Sequence, residues 1–107
     1  MGKEIKIHDT IDLFLYHLDN KTKIKIIKCL LSGTKSFDEL AKYTKCFPWS
    51  LWFFLKDLTK KKIITTAIYP AIPIRIEYTL TGFGESFKPA INSMVEWSYS
   101  YKTHRIE

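Results

Sequence analysis

The sequence has few of the residues from which metal sites, disulfide frameworks and phosphate-binding loops are built. Its 107 residues include two cysteines, Cys29 and Cys46, together with three histidines and four glycines. The cysteines form no Cys-x-x-Cys pair, and the histidines lack the spacing of metal ligands. No glycine-rich loop or Ser/His/Asp constellation is recognisable either. We therefore expect no enzyme, no metal and no cofactor.

Long apolar runs are also missing, as is a targeting segment. No run approaches the roughly 18 apolar residues that span a bilayer. The N-terminal residues match neither a signal peptide nor a myristoylation motif, and two unpaired cysteines are typical of a reducing compartment. These absences predict a soluble cytoplasmic protein that has no membrane partner.

Positive charge, in contrast, is plentiful. Seventeen Lys and Arg residues outnumber eleven Asp and Glu residues and give a net charge of +6. This sign favours a polyanionic partner, although a basic surface without such a partner has the same composition. A hydrophobic content of 46% excludes global disorder, and a chain of this length fits one domain with a single core.

Apolar spacing and capping residues predict two helices in the first third of the chain. Residues 1–8 are expected to form a flexible arm. The first helix, over residues 9–18, is apolar on nearly all sides, so it needs burial by its own domain or by a second subunit. The second helix begins at Asp19 or Asn20 and ends near Gly33, with its lysines in solvent.

A helix-turn-helix is predicted over residues 36–62, within the helical segment 20–62. Ser36 and Glu39 form a capping box that opens a short helix. After a turn of a few residues, Pro48 suits the first turn of the next helix. Two short helices joined by so tight a turn are typical of this motif.

The second helix of the motif has two contrasting faces. The face expected in the core carries leucines at i, i+4 and i+7, namely Leu51, Leu55 and Leu58. The opposite face, which should be in water, carries Trp49, Phe53, Lys56 and Lys60. Trp52 and Phe54 lie on the flanks of the leucine stripe, and we expect them in the core.

Period-two alternation predicts a β-hairpin over residues 63–80, with prolines at its tip. A last helix over residues 81–101 is capped by Thr81 and should be kinked by Pro89. The predicted order is α-α-α-α-β-β-α, which is a mainly helical winged helix-turn-helix in a single domain, residues 1–107. The hairpin is its wing.

The wing and the residues after it closely resemble those of HxlR-type transcriptional regulators in the MarR-like superfamily. That family's pattern is Tyr-Pro-x-x-Pro-x-(Arg)-Val-Glu-Tyr-x-Leu-Thr-x-x-Gly. This chain reads Tyr69-Pro70-Ala71-Ile72-Pro73-Ile74-Arg75-Ile76-Glu77-Tyr78-Thr79-Leu80-Thr81-Gly82-Phe83-Gly84. Further similarity lies in Leu30-Leu31-Ser32-Gly33, Phe37-Asp38-Glu39-Leu40 and Leu55-Lys56-Asp57-Leu58.

The resemblance implies a DNA-binding transcriptional regulator that acts as a homodimer, paired through its first and last helices. The residues expected at the dimer contact are Leu13, Phe14, Phe87, Ile91, Met94, Val95 and Trp97. Many members carry a Cys-Pro pair near the N-terminus, in some a redox sensor. Residues 1–15 contain neither residue, so sensing through that thiol is not implied here.

Double-stranded DNA is the expected partner, bound as a pseudo-palindromic site by two reading helices in successive major grooves. The residues expected to contact it are Lys35, Ser36, Lys45, Trp49, Ser50, Phe53, Lys56, Lys60, Lys61 and Arg75. Family members typically have polar and basic residues where this chain has Trp49 and Phe53. Two alternatives follow for these aromatics. The helix is rotated or covered by its neighbours, or it docks on a protein partner.

Overall fold

The chain folds as helices and short strands over residues 9–106, the part that the computed structural model describes. In order these are α1 (Thr10–His17), α2 (Lys21–Leu30), β1 (Lys35–Ser36), α3 (Phe37–Thr44), α4 (Pro48–Lys60), β2 (Ile64–Tyr69), β3 (Arg75–Leu80), α5 (Gly82–Glu85) and α6 (Lys88–Ile106). The predicted class, mainly helical with a β-hairpin wing, is confirmed. The predicted flexible arm over residues 1–8 lies outside the described residues.

Side-chain caps begin the first helices where the sequence predicts them. Asp9 accepts a hydrogen bond from the Ile11 amide at 2.7 Å, and Asn20 accepts one from the Lys23 amide at 2.9 Å. The capping box is complete, since Ser36 Oγ accepts from the Glu39 amide while Glu39 Oε1 accepts from the Ser36 amide. Each cap satisfies helix N–H groups that have no partner within the helix.

The wing lies in a three-stranded antiparallel sheet of order β1-β3-β2. Strands β2 and β3 pair from Ile64 opposite Leu80 to Tyr69 opposite Arg75. Strand β1 was not predicted, because two residues are too few to show a period. It forms because the backbone before α3 pairs with the middle of β3.

The core lies where α2, α3 and α4 meet the base of the wing. Its least exposed side chains are Leu18, Ile26, Ile27, Leu40, Leu51, Leu55, Leu58, Ile63, Ile64 and Ile91. The leucine stripe of α4 is buried as predicted. Burial of these side chains fixes the rotation of α4 about its own axis, and with it the opposite face.

Two predictions about the last helix were wrong, and the burial expected for the first helix is not met within one chain. Helix α1 buries no residue of its own, although Leu18 just after it is buried; burial of α1 by a second subunit stays a prediction. The single last helix is two helices, α5 and α6, separated at Ser86 and Phe87. Pro89 falls in the first turn of α6, where its missing N–H has no partner to lose, so it does not kink that helix.

The expectation that the α2 lysines all face solvent was also wrong, because Lys23 is buried. Its ammonium group lies 2.8 Å from Asp19 Oδ1 and 2.5 Å from Asp57 Oδ2. This ion pair joins α2 to α4.

Among residues 9–106, no helix combines the length and apolar character that a membrane crossing needs.

Candidate nucleic-acid interface

The turn between α3 and α4 is held by backbone and side-chain contacts around Thr44. The buried Thr44 hydroxyl donates to the Leu40 carbonyl at 2.8 Å and accepts from the Cys46 amide at 3.3 Å. Lys45 has a left-handed backbone, with φ of 54°, and its amide closes α3 by donating to the Ala41 carbonyl. These contacts set the angle at which α4 leaves the turn.

The outer face of α4 is open to solvent. Trp49 is 76% exposed and Phe53 is 50% exposed, whereas Leu51 and Leu58 are fully buried. The alternative in which the helix is rotated or covered is therefore excluded. Phe47, just before the helix, is even more exposed at 81%. Sequence reasoning missed it because it precedes Pro48 and so lies outside the helical period.

Trp52 belongs to this outer surface, and its predicted place in the core was wrong. It is about half exposed, and its ring packs edge-on against Phe53 with centroids 5.2 Å apart. The Lys56 ammonium lies 4.6 Å from the Trp52 ring centroid, a cation–π distance. Phe54, in contrast, is half-buried against the core as predicted. We call Phe47, Trp49, Trp52 and Phe53 the aromatic face.

The polar and charged residues predicted to contact DNA fall into two groups. Lys45, Lys56 and Lys60 are exposed on the turn and on the outer side of α4, and Arg75 is exposed on the wing. Lys35, Ser36 and Ser50 are half-buried, and both the amide and hydroxyl of Ser36 are occupied by Glu39. On the wing, Arg75 Nε donates to Glu77 Oε2. The exposed lysines are therefore the side chains most available to a polyanion.

Lys61 points away from this surface, so its position does not fit the predicted phosphate contact. Its ammonium group donates to the Tyr16 carbonyl at 2.6 Å, lies 3.0 Å from Asp57 Oδ2 and sits 4.6 Å from the Tyr16 ring centroid. Lys61 thereby ties the end of α4 to α1. Asp57 and Lys61 are one helical turn apart and form an i,i+4 pair.

Asp57 is the centre of an ion network that involves Lys23 and Lys61. Burial disfavours the charged carboxylate, but the hydrogen bonds from the two ammonium groups outweigh it and lower the pKa of Asp57. For Lys23, burial also opposes the charge, while the hydrogen bonds to Asp19 and Asp57 raise its pKa. The network keeps the carboxylate of α4 on the inner side of the helix and leaves the outer side cationic.

The predicted dimer residues are divided between core and surface. Phe87 and Ile91 are buried in the protomer's own core, and Phe14 packs edge-on against Phe87 at 5.9 Å. Leu13, Met94 and Trp97 are between 46% and 66% exposed, and Val95 is half-buried. The exposed residues lie on α1 and α6.

Residues 17–106 match the profile of the HxlR-like helix-turn-helix family. The helix-turn-helix transcriptional regulator YdeP of Bacillus subtilis is 31% identical over 97 residues, which cover 90% of this chain and 73% of YdeP. A helix-turn-helix transcriptional regulator of Methanothermobacter thermautotrophicus is 27% identical, with 90% and 74% covered.

Solved structures of regulators have the same fold. The oxidised form of the redox regulator HypR superposes with a TM-score of 0.79 at 26% identity, covering 86% of this chain and 96% of HypR. A MarR-family regulator from Porphyromonas gingivalis W83 gives a TM-score of 0.82 at 24% identity, covering 92% and 97%. The second likeness concerns the fold alone.

Proposed function

The chain belongs to the HxlR-like helix-turn-helix family of transcriptional regulators, and we propose that it acts in the cytoplasm as a homodimer on a pseudo-palindromic duplex. The observation that carries this proposal is the outer side of α4, a protruding helix face flanked by exposed lysines beside an exposed wing. In this arrangement α4 enters a major groove while Lys45, Lys56 and Lys60 contact phosphates. A two-fold dimer would place two such helices about 34–36 Å apart.

The dimer contact is proposed between α1 of one copy and α6 of the other. Helix α1 exposes Ile11, Leu13 and Leu15 at 67%, 48% and 48%, and such a run of apolar side chains is uncommon on a free surface. A groove of about 380 Å³ lies between α2 and α6, with an apolar floor that includes Met94 and Val95.

Charge supports the same pairing. The groove is rimmed by three lysines, Lys25, Lys28 and Lys102. Helix α1 brings acidic groups of the opposite sign, Asp9 at its cap and Asp12 in its first turn. Opposite charges on two facing surfaces fix the register of docking and disfavour other partners. A second copy of α1 therefore fits this groove in both polarity and charge.

Replacing Leu13 by Lys is expected to separate the dimer, because an ammonium group in an apolar contact must be desolvated beside the lysines that rim the groove. The measurement is solution mass by light scattering, which should fall from twice 12.6 kDa to 12.6 kDa at micromolar concentration. Ile72→Lys is the control: Ile72 at the wing tip is fully exposed, so this substitution should leave the mass unchanged. A parent chain that already has the mass of a monomer contradicts the homodimer.

Selection of bound fragments from random duplex DNA tests binding, sequence preference and half-site spacing together. Lys56→Ala combined with Lys60→Ala should then weaken binding to all duplexes alike, and should reduce the slope of log K against log salt by roughly two. Lys61→Ala is the matched control on the same helix. Because Lys61 is bound to Asp57 and Tyr16, its removal should leave the salt slope unchanged.

A second candidate function is a protein-interaction module on the same scaffold. The exposed Trp49 and Phe53 favour it, since aromatic side chains dominate the hot spots of protein interfaces. In that case Trp49→Ala and Phe53→Ala would abolish capture of a defined protein partner and leave DNA binding intact. Loss of duplex binding in the same variants would instead support the first function.

A further inference from the structure

We infer that the aromatic face of α4 is a stacking platform for unpaired DNA bases, an inference that rests on the proposed DNA-binding function and specifies the form of DNA. The platform is formed by Phe47, Trp49, Trp52 and Phe53, with Lys56 and Lys60 beside it. On this basis α4 lies in the groove of a duplex site and holds bases that are unpaired at that point, so a site with opened base pairs binds more tightly than a fully paired one.

The aromatic face of α4 is better suited to contact the flat sides of nucleobases than their hydrogen-bonding edges. A paired duplex presents hydrogen-bonding groups and thymine methyls in its major groove, while the flat faces of its bases are covered within the stack. Among the hydroxyls near the aromatic face, that of Ser50 is half-buried, and that of Thr59 is bonded to the Leu55 carbonyl and to Thr66. The aromatic face exposes four large rings at 46% to 81% of their surfaces. Such rings bind bases by stacking, and every unpaired base offers a π-face.

The packing of the rings leaves ring faces uncovered. Trp49 and Phe53 meet edge to face, with centroids 5.7 Å apart and planes at 77°, and Trp52 meets Phe53 at 78°. A flat stack would cover one face of both rings, as happens on α6, where Trp97 and Tyr101 lie at 20°. The edge-to-face geometry and the 76% exposure of Trp49 leave room for a base on its indole ring.

The charge around the face matches a nucleic-acid backbone. The Lys56 ammonium lies over the Trp52 ring, and Lys60 is exposed one turn further along α4. The one carboxylate in the α4 sequence, Asp57, is held on the other side by Lys23 and Lys61. Exposed rings with cations beside them are the combination with which proteins hold single strands.

The test compares three probes: a dT strand of roughly 30 nucleotides, its duplex with dA, and that duplex with a central bubble of dT·dT mismatches. The full chain should bind the bubble duplex about tenfold or more tightly than the paired duplex, because no base pair has to be opened. Equal affinity for the bubble and the paired duplex overturns the inference.

Substitutions of Trp49 separate stacking from simple apolar contact. Trp49→Phe keeps a ring and should retain the preference for the bubble, whereas Trp49→Leu keeps apolar bulk and should lose about five- to a hundredfold in affinity for it. Trp49 is largely exposed, so both variants should unfold at the parent's temperature. If Leu and Phe variants bind the bubble like the parent, the face serves another partner such as a protein, and the inference fails.

The two proposals fail separately in these measurements. Absence of salt-dependent binding to every selected duplex removes the proposed function but leaves binding of the dT strand to be observed. Binding to selected duplexes without any gain from the bubble removes only the stacking platform. A gain from the bubble that disappears in Trp49→Leu supports the platform and assigns it to α4.

Discussion

Gly84→Ala is expected to lower the free energy of unfolding by about 3 kcal/mol or more, one of the two largest effects of a single substitution that we predict. A Cβ atom at this position would lie 2.1 Å from the Ile63 carbonyl oxygen and 2.8 Å from Leu80 Cδ2. The carbonyl cannot easily retreat, because it accepts hydrogen bonds from both the amide and the hydroxyl of Thr81. Urea unfolding followed by circular dichroism measures the loss.

Gly82→Ala is the matched control two residues earlier on α5. A Cβ atom at Gly82 has no neighbour within 4 Å, so the change should stabilise by a few tenths of a kcal/mol or be neutral, through reduced freedom of the unfolded chain. Similar losses in the two variants would show that the close approach at Gly84 does not limit stability. This contact also gives a physical reason for the glycine that ends the wing motif.

The parts of the fold that depend on local chemistry could be predicted from the sequence. The capping box needs only Ser36 and Glu39, three residues apart, and the hairpin needs only its alternation. The leucine stripe predicted which side of α4 is buried, and so placed Trp49 and Phe53 on the exposed side. In each case the determining residues lie within a few positions of one another, so a single sequence contains the whole signal.

The parts that depend on distant neighbours could not be predicted. Strand β1 exists because β3 lies beside it, and Lys23 is buried because Asp57, on another helix, supplies its counter-charge. A continuous apolar periodicity carries no trace of such contacts.

The candidate site shows the same limit. The helical period does not decide whether a flanking residue such as Trp52 is covered, since that depends on what packs beside it. It also does not distinguish Lys60 from Lys61: these residues are adjacent in sequence, but Lys60 is exposed while Lys61 is bound to Asp57 and Tyr16. The carbonyl of Tyr16, which binds Lys61, is 45 residues away in the chain. The distinction between a free cation and a structural one required the tertiary fold.

Asp57→Ala is expected to lower the free energy of unfolding by about 3 kcal/mol, because it removes a partner from a buried charge. The Lys23 side chain is only 5% exposed, and without Asp57 it would keep a single counter-charge, Asp19. Lys61 would lose its carboxylate partner as well. Thermal or urea unfolding near neutral pH measures the effect, and Lys23→Met is the comparison.

The comparison is informative because the two substitutions break the same pair from opposite ends. Lys23→Met puts an unbranched apolar chain of similar size in the buried position and leaves Asp57 paired with the more accessible Lys61. It should therefore cost about 1 kcal/mol or less. If the two variants lose the same free energy of unfolding, the unpaired ammonium group of Lys23 is not the cause of the large effect of Asp57→Ala.

The pH dependence of stability gives the Asp57 prediction a second readout with a definite sign. The pKa values of Asp19 and Asp57 are lowered from 3.8 by their hydrogen bonds to lysine, so the folded state binds fewer protons than the unfolded state as pH falls. The stabilisation from these carboxylates is complete above pH 3.8 and is lost as pH falls below it, through the lowered pKa values.

The measurement is the free energy of unfolding as a function of pH, and its acid limb is the fall in this free energy below pH 3.8. Asp57→Ala should make the acid limb less steep. Gly84→Ala should lower the free energy of unfolding by the same amount at every pH and leave the steepness unchanged. An acid limb as steep in Asp57→Ala as in the parent would show that other carboxylates carry it.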